Sequence, residues 1–265
     1  MPDDFKARRD FACEVAANAG QLGLSFFRRL DTLTVESKGH QDMVSEADRE
    51  VELLVRREIL ARYPDDGIVG EEHAPTSGAS GYTWVIDPID GTANFVSGIP
   101  AWCVAIACVK DGVAVVGVIH EPSTGETFAG HKGGGAFLNG KPMRASQATD
   151  LTRGAVGTGV SSRREMRLIV EVIERLFQQG GMFYRNASGA LMLAYVAAGR
   201  LLGYVEEHMN AWDCVAGMLL IEEAGGKVLP PDPATVLSQG TVVVAAGNPL
   251  FDQVHALCKD SFGLQ

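Results

Sequence analysis

Hydrophobic residues in the first quarter of the chain recur at the spacing of an α-helix. Residues 3–29 and residues 45–63 each predict an amphipathic helix, because apolar side chains return every three or four positions. Ser45 stands where the second helix begins, and Asp48 follows three positions later, which is close to the capping-box pattern. Residues 33–37 alternate between apolar and polar side chains, and we therefore predict a short strand between the two helices.

The hydrophobic period then changes to two, mixed with continuous apolar runs that indicate buried strands. Residues 82–86 predict a strand that stops at the segment DPIDGT. Residues 102–109 and 113–120 predict a β-hairpin, because the D-G pair at Asp111–Gly112 favours a tight turn. Two shorter strands extend this antiparallel sheet, at residues 126–129 and 136–138.

In the second half of the chain, predicted strands alternate with predicted helices. The strands fall at residues 155–157, 201–206, 227–229 and 241–246, and the helices at residues 163–179, 189–198, 211–224 and 249–262. Such alternation indicates a partly parallel sheet covered by helices. A stretch rich in Ser, Thr and Asp near Asp150 separates the two halves. We therefore expect a mixed α/β (α+β) protein with one part at residues 1–150 and another at residues 151–265.

The charge of the chain restricts its partners. Acidic residues exceed basic residues by 33 to 23, which gives a net charge of -10. This balance argues against direct nucleic-acid binding, which requires a basic surface. It would also repel a phosphate-bearing substrate, unless bound divalent cations reverse the local field.

The cysteines and the apolar runs indicate the cellular compartment of the protein. The five cysteines are scattered and form no C-x-x-C pair, so we expect reduced thiols in a cytoplasmic protein. The first residues lack the apolar run of a secretory signal, and no apolar run approaches the roughly 18 residues of a membrane span. We therefore expect no membrane partner.

Four acidic clusters carry the candidate chemistry. They are Asp48 in DMVSEAD, Glu71 and Glu72 in GEEH, Asp87 and Asp90 in DPIDGT, and Asp213 in AWDCVAG. Taken singly, most have plain structural explanations: Asp48 suits an exposed helix face, Glu71–Glu72 a solvated turn, and Asp213 a helix N-terminus. The DPIDGT segment is harder to explain in this way.

In DPIDGT, two acids follow a buried strand within one tight turn. Asp87 and Asp90 would repel each other by roughly 1–4 kcal/mol at a separation of about 4 Å, depending on the local dielectric. A hard cation such as Mg²⁺ removes this repulsion, because it takes carboxylate and carbonyl oxygens as ligands. Gly91 allows close backbone approach, and Thr92 can cap a short helix beginning at Ala93, whose free N–H groups suit a phosphate oxygen. The segment therefore predicts a metal site beside an anion site.

The order of several segments resembles the inositol monophosphatase family, within the lithium-sensitive, metal-dependent phosphatases. The matching segments are GEEH, DPIDGTANF followed by GIP, AFLNGKP, and AWDCVAG followed by EEAGG. They span nearly the whole chain. The resemblance implies a layered αβαβα sandwich of two intimately packed subdomains, usually a homodimer. It also implies Mg²⁺-dependent hydrolysis of a small phosphate monoester.

The resemblance further implies a set of metal ligands for two to three Mg²⁺ ions. The first ion would be bound by Glu71, Asp87 and the Ile89 carbonyl, and the second by Asp87, Asp90 and Asp213. A third, weaker ion would depend on Glu71 and water. Two bound cations would activate a water molecule and stabilise the leaving oxygen of an in-line displacement.

The same resemblance assigns catalytic and substrate-binding residues. Asp48 and Thr92 would orient the attacking water, with Glu72 nearby, and the N–H groups of Gly91 and Thr92 would hold phosphate oxygens. The substrate side would be formed by Glu206, which contacts hydroxyl groups, and by Ser188, Gly189 and Ala190. The Ser-Gly pair departs from the Gly-Thr or Gly-Ser that is frequent in the family.

Several functions fit these residues. Inositol-1-phosphate is the leading substrate, and the alternatives are histidinol phosphate, fructose 1,6-bisphosphate or another sugar or nucleotide phosphate. A different class would be a regulatory binding protein on an inactive phosphatase scaffold. Such scaffolds usually lose their metal carboxylates, whereas this chain retains all four, at Glu71, Asp87, Asp90 and Asp213.

Overall fold

The chain alternates between helical layers and β-sheets. The structure, a computed structural model, describes residues 2–39, 42–161 and 165–264. Within these residues the helices are α1 (Pro2–Phe27), α2 (Glu46–Arg62), α3 (Thr92–Val96), α4 (Met166–Gln178), α5 (Gly189–Ala197), α6 (Ala211–Glu223), α7 (Val236–Gln239) and α8 (Phe251–Phe262). Short 3-10 turns occur at Leu30–Thr32, Leu151–Arg153 and Asn248–Leu250.

The strands form two large sheets and one small ribbon. They are β1 (Val35–Gly39), β2 (Asp42–Ser45), β3 (Gly67–Gly70), β4 (Tyr82–Asp90), β5 (Cys103–Lys110), β6 (Val113–Glu121), β7 (Glu126–His131), β8 (Gly135–Leu138), β9 (Lys141–Pro142), β10 (Ala155–Thr158), β11 (Met182–Tyr184), β12 (Gly203–Met209), β13 (Gly226–Val228) and β14 (Thr241–Gly247).

The first large sheet has seven strands in sequential order, β3-β4-β5-β6-β7-β8-β9. All its neighbours are antiparallel except β3 and β4, which run parallel. The predicted hairpin is confirmed, because Asp111 and Gly112 both have positive φ between β5 and β6. The second sheet has the order β11-β10-β12-β14-β13, with β10 parallel to both of its neighbours, which confirms a partly parallel sheet.

Both large sheets are buried on two faces, and this explains their continuous apolar runs. In β5, Val104 and Ile106 pack with α1 and α2, whereas Ala105 and Ala107 pack with α5 and α6 on the other face. In β14 the same alternation turns one set of residues toward α5 and α6 and the other toward α4 and α8. The layers are therefore α1/α2, the seven-stranded sheet, α5/α6, the five-stranded sheet and α4/α8. The expected mixed α/β class and layered αβαβα sandwich are confirmed.

The middle layer is apolar around its whole circumference, since it lies between two sheets. Helices α5 and α6 approach closely at Gly217, where a Cβ atom would lie 2.4 Å from the Leu193 side chain. Even so, the described part of the chain contains no helix with both the length and the hydropathy that a membrane crossing requires.

The structure differs from several predicted boundaries. The strand predicted to stop before DPIDGT continues as β4 through Asp90, so that prediction is wrong. The predicted capping role of Thr92 is also wrong, because the cap of α3 is Gly91, with φ of 97°, and Thr92 is the first helical residue. The sequence pattern does not predict β2, β3, β9, β11 or α7, since each has four residues or fewer. The predicted helix at residues 163–179 begins at Met166 in the structure, and residues 162–164 lie outside the described residues.

Candidate metal centre

Three of the predicted metal ligands meet at one place. The carboxyl groups of Glu71, Asp87 and Asp213 each offer an oxygen, and these oxygens lie within 4.8 Å of one another. Glu71 follows β3, Asp87 lies in β4, and Asp213 lies in the first turn of α6. We call these residues the acidic triad. Its members come from distant parts of the sequence, so their meeting is a product of the fold.

A β-bulge in β4 sets the direction of Asp87. Asp87 pairs with Ala105 and Asp90 pairs with Cys103, so three steps along β4 match two steps along β5. The extra residue reverses the alternation of side chains, and both acids therefore face the middle helical layer. The Ile89 N–H donates a hydrogen bond of 3.1 Å to Asp87 Oδ1, which fixes the carboxylate against the bulge.

Asp213 is fixed by the cap of α6. It occupies the third helical position, and its carboxylate accepts the backbone N–H of Asn210 at 3.0 Å and the Asn210 side-chain amide at 3.2 Å. This is a capping box, in which the side chains at the two positions satisfy each other's backbone donors. The start of α6 therefore supplies Asp213 with a fixed rotamer and a favourable helix dipole.

Burial and like charges act together on the triad. Burial raises the pKa of Asp87 well above its usual value, and the charges of Glu71, Asp90 and Asp213 raise it further. Burial, followed by the charge of Asp90, raises the pKa of Asp213 to about 7. Oxygen atoms of Glu71, Asp87 and Asp213 lie close together, so ionisation of all three carboxyl groups would place like charges side by side. A divalent cation would offset these charges, and the all-oxygen donor set is the kind that Mg²⁺ prefers.

Asp90 lies outside the triad and is turned toward the N-terminus of α5. Its carboxylate accepts hydrogen bonds from Ser188 Oγ at 2.5 Å and from the N–H groups of Gly189 at 3.2 Å and Ala190 at 2.8 Å. Burial raises the pKa of Asp90, and the hydrogen bonds from Ser188 and from the Leu191 and Ala190 amides oppose the rise. Ser188 is fully buried, so its hydroxyl is committed to Asp90. The segment predicted to line the substrate pocket therefore solvates Asp90, which the sequence did not indicate.

The predicted pair of Asp48 and Thr92 is formed. Thr92 Oγ1 lies 2.9 Å from Asp48 Oδ1 and 3.1 Å from the Ile89 carbonyl oxygen. Because the hydroxyl has a single proton, it donates to only one of these acceptors at a time. Asp48 Oδ2 accepts the Ser45 N–H at 2.8 Å, and this confirms the capping box predicted at the start of α2. Burial raises the pKa of Asp48, while the hydrogen bonds from Ser45 and Thr92 lower it.

Gly91 separates Asp90 from Thr92 in a conformation that only glycine adopts readily. Its φ is 97°, and a Cβ atom would lie 3.0 Å from the Ala101 carbonyl oxygen and 3.2 Å from the Ser188 Cβ. A side chain at this position would therefore crowd the Ala101 carbonyl and Ser188, while the predicted approach of this backbone to a ligand stays a prediction.

Glu206, the residue predicted to contact substrate hydroxyl groups, lies on β12. It is buried, and Tyr204 donates its hydroxyl proton to Glu206 Oε2 at 2.5 Å. Gly159 packs so closely that a Cβ there would overlap with the Glu206 carboxylate. Burial raises the pKa of Glu206 to about 8, the Tyr204 hydrogen bond opposes this, and the charge of Asp213 adds to it.

The second acid of the GEEH segment, Glu72, is separate from the triad. Its backbone N–H donates to Glu52 Oε2 at 2.7 Å, so the turn is attached to α2. Glu52 lies outside the motifs that indicate chemistry in the sequence. The signal for it in the sequence is its spacing from Asp48, since residues four positions apart share one face of a helix.

Known proteins resemble this chain over most of its length. The profile of the inositol monophosphatase family matches residues 5–260. The chain is 39% identical over 217 residues to the Nus factor SuhB of Xylella fastidiosa, which covers 81% of this chain and 78% of that protein. It is 39% identical over 212 residues to the inositol-1-monophosphatase of Rhizobium meliloti, which covers 78% and 79%. It is 36% identical over 242 residues to the histidinol-phosphatase of Chlorobaculum parvum, which covers 89% and 91%.

A solved structure gives the same result for the fold. The extragenic suppressor protein suhB from Bartonella henselae superimposes with a TM-score of 0.90 at 30% sequence identity, covering 96% of this chain and 98% of that one. Profile, sequence and fold agree over the same residues. This chain therefore belongs to the inositol monophosphatase family, a family of metal-dependent phosphatases.

Proposed function

We propose that this protein hydrolyses a small phosphate monoester with bound Mg²⁺, and that inositol-1-phosphate is the leading substrate. The observation that supports this most directly is the acidic triad. Closely spaced carboxyl groups that repel one another when ionised are stabilised by a bound divalent cation. Thr92 belongs to the DPIDGT segment, and its hydroxyl is hydrogen-bonded to Asp48. The segment that carries Asp87 is therefore next to a proton acceptor.

The proposal assigns two to three Mg²⁺ ions to Glu71, Asp87, Asp213, Asp90 and the Ile89 carbonyl. When bound, these ions would supply the positive charge that attracts the phosphate and stabilises the departing oxygen. An Asp90 carboxylate held by α5 would keep a fixed direction, because Ser188 and two backbone amides restrain it. The N–H groups of Gly91 and Thr92 would bind phosphate oxygens.

The proposed task of Thr92 and Asp48 is to orient and deprotonate water. When Thr92 donates its proton to Asp48 Oδ1, a lone pair of Thr92 Oγ1 can accept a proton from water. The water proton would then pass to Thr92 Oγ1 as the Thr92 proton passes to Asp48. The raised pKa of Asp48 suits an acceptor of this kind. Glu72 would assist from the neighbouring turn.

The names of the relatives point to more than one substrate. One relative is named an inositol-1-monophosphatase and another a histidinol-phosphatase. Glu206 would contact substrate hydroxyl groups, a role that favours a polyol such as inositol. The Ser188 hydroxyl already donates to Asp90. The segment Ser188, Gly189 and Ala190 would therefore affect the substrate only indirectly, by holding Asp90.

A panel of phosphate esters tests this proposal. Inositol-1-phosphate, histidinol phosphate and fructose 1,6-bisphosphate would each be incubated with Mg²⁺, and phosphate release would be measured. We expect release to require Mg²⁺ and to be fastest from inositol-1-phosphate, with lithium as an inhibitor. Faster release from histidinol phosphate would replace the substrate but keep the chemistry. No release from any ester would favour the regulatory binding protein, a role consistent with the relative named a Nus factor.

We also propose that the protein forms a homodimer through the apolar edge of the five-stranded sheet. This edge consists of the exposed side chains of α4 and of the edge strand β11, at Met166, Val170, Phe177, Met182, Phe183 and Tyr184. Met166 and Met182 are 66% and 60% exposed, and an exposed apolar edge strand is a common site of association. Met182→Glu should produce a monomer in sedimentation experiments, whereas Leu53→Glu, at an exposed apolar position on α2, should not.

A cytoplasmic location completes the proposal. All five cysteines are free thiols, and four of them are buried. Free thiols persist most readily in a reducing compartment. The net charge of -10 is consistent with a partner that is a small phosphate ester held by cations, and with no direct binding of nucleic acid.

A further inference from the structure

The acidic turn, residues 71–73, is attached to one buried side chain of α2. Glu52 has no exposed surface, and both of its carboxylate oxygens accept hydrogen bonds from this turn. The Glu72 N–H donates to Oε2 at 2.7 Å, and the His73 N–H donates to Oε1 at 3.2 Å. The contact is also close at Gly70, where a Cβ atom would lie 2.3 Å from Glu52 Oε1.

Arg56 extends this attachment to the far end of the turn. Its Nε donates to Glu52 Oε1 at 2.6 Å, and its Nη2 donates to the His73 carbonyl oxygen at 3.0 Å. A third bond, from Nη1, reaches Thr76 Oγ1 at 3.3 Å. Arg56 is itself buried and neutralises Glu52. Because the charges of Glu52 and Arg56 cancel, Glu52 can lie next to the turn that carries Glu71 without adding net negative charge near the triad.

Helix α2 thus serves two parts of the site with one face. Asp48 and Glu52 are four positions apart, so their side chains project from the same side of the helix. Asp48 reaches Thr92, and Glu52 reaches the backbone of the acidic turn. A rigid helix therefore fixes the spacing between the DPIDGT segment and the turn that supplies Glu71.

We infer that Glu52, with Arg56, is a positioning residue that presets Glu71 and Glu72 for cation binding. Glu52 acts through the backbone of the turn, because its own oxygens are occupied by Glu72, His73 and Arg56. The inference rests on the proposed Mg²⁺-dependent function and extends it to a residue outside the ligand set. Residues that orient metal ligands in this way typically change metal affinity by roughly 10- to 100-fold when they are replaced.

Glu52→Gln is the sharpest test, because it keeps the shape of the side chain. Three donors converge on the two Glu52 oxygens, and a glutamine offers only one oxygen. If that oxygen receives Arg56 and His73, the glutamine amide faces the Glu72 N–H, and two donors oppose each other. We expect faster hydrogen exchange of the Glu72 and His73 amides in the metal-free protein. We also expect the Mg²⁺ concentration for half-maximal thermal stabilisation to rise roughly 10- to 100-fold.

Asp66→Asn is the matched control. Asp66 is a buried carboxylate paired with Arg8, and it also accepts Trp84 Nε1 at 2.8 Å, yet these residues do not belong to the site. This variant should lower the melting temperature but leave the Mg²⁺ midpoint unchanged. Arg56→Lys is a second variant should Glu52→Gln fail to fold. It removes the bonds to His73 and Thr76, keeps the charge, and should raise the Mg²⁺ midpoint less.

The outcomes separate this inference from the proposed function. If Mg²⁺ does not change the melting temperature of the wild-type protein, both the positioning role and the proposed function would be overturned, since no cation would then bind the triad. A normal wild-type response with unchanged Mg²⁺ midpoints in Glu52→Gln and Arg56→Lys would overturn the positioning role alone. Equal midpoint shifts in Glu52→Gln and Asp66→Asn would do the same, because the effect would then reflect general stability.

Discussion

Carboxyl oxygens of Asp87 and Asp213 lie within 4.8 Å of each other, although one residue lies in a β-strand of the first sheet and the other at the start of α6. Burial raises the pKa of both carboxyl groups, and the charge of Asp213 raises the pKa of Asp87 further. The fold therefore maintains a pair whose full ionisation is unfavourable without a cation. This property, more than the presence of acids in the sequence, distinguishes a metal centre from a solvated acidic surface.

Asp87→Asn should abolish turnover and leave the fold intact. The change removes a ligand proposed to bridge two ions. It also removes one member of a repelling cluster, so the metal-free variant should melt at the same temperature as the wild type or higher. Phosphate release and thermal melting, each with and without Mg²⁺, measure both effects. Near-normal turnover would refute the bridging role of Asp87. A large loss of stability in the metal-free variant would show that the Asp87 carboxylate stabilises the fold.

The stability of the metal-free protein should depend on pH in a direction set by the same cluster. The pKa of Asp213 in the folded state is about 7, against a usual value of 3.8, and the pKa values of Asp87 and Asp90 are also raised. At pH values between about 4 and about 7, the folded state therefore binds more protons than the unfolded state. Stability therefore falls as pH rises from about 4 to about 7.

Melting curves at pH 5 and pH 8 test this expectation. The metal-free protein should melt at the lower temperature at pH 8, by roughly 2–4 °C for each 1 kcal/mol of lost stability. Saturating Mg²⁺ should reduce or reverse the difference, because the cation stabilises the ionised carboxylates. A metal-free protein that becomes more stable from pH 5 to pH 8 would contradict the raised pKa values.

Local sequence signals predicted those elements whose causes are local. The capping box at Ser45 and Asp48, and the turn at Asp111–Gly112, depend on a few adjacent residues, and both are present. The sequence could not reveal that β4 continues through Pro88, because the bulge depends on pairing with β5. The division of the chain near residue 150 stays a prediction, since α5 and α6 share one core with both sheets.

The functional residues divide in the same way. Acids in DPIDGT attract notice because their neighbours along the chain make them unusual. Glu52 reads as an ordinary helix residue, and its importance depends on a turn twenty positions away. The hydrogen bond from Ser188 to Asp90 likewise joins the start of α5 to the end of β4, which are far apart in the sequence. Such contacts depend on tertiary packing, which periodicity does not encode.

Ser188→Ala should destabilise the protein and weaken cation binding. The serine hydroxyl is buried and donates to the Asp90 carboxylate at 2.5 Å, so its loss leaves a charged acceptor with one partner fewer. Removing a hydrogen bond to a buried charged group typically costs about 1–3 kcal/mol. Urea unfolding of the metal-free protein measures this, and Ser238→Ala, at an exposed helix position, provides the control. Equal stabilities for both variants would show that the α5 amides alone satisfy Asp90.

Glu206→Ala should alter substrate preference more than metal affinity. Glu206 lies on β12, outside the acidic triad, and its carboxyl group is held by the Tyr204 hydroxyl. Its removal would leave substrate hydroxyl groups without a partner, so polyol phosphates should lose more activity than esters that lack neighbouring hydroxyls. Tyr204→Phe should produce a smaller change in the same direction, because it frees Glu206 without removing it. Values of kcat/KM for an ester panel, with Mg²⁺ midpoints from thermal shifts, test the two effects separately. Equal losses across all esters, or a shifted Mg²⁺ midpoint, would assign Glu206 to the metal centre instead.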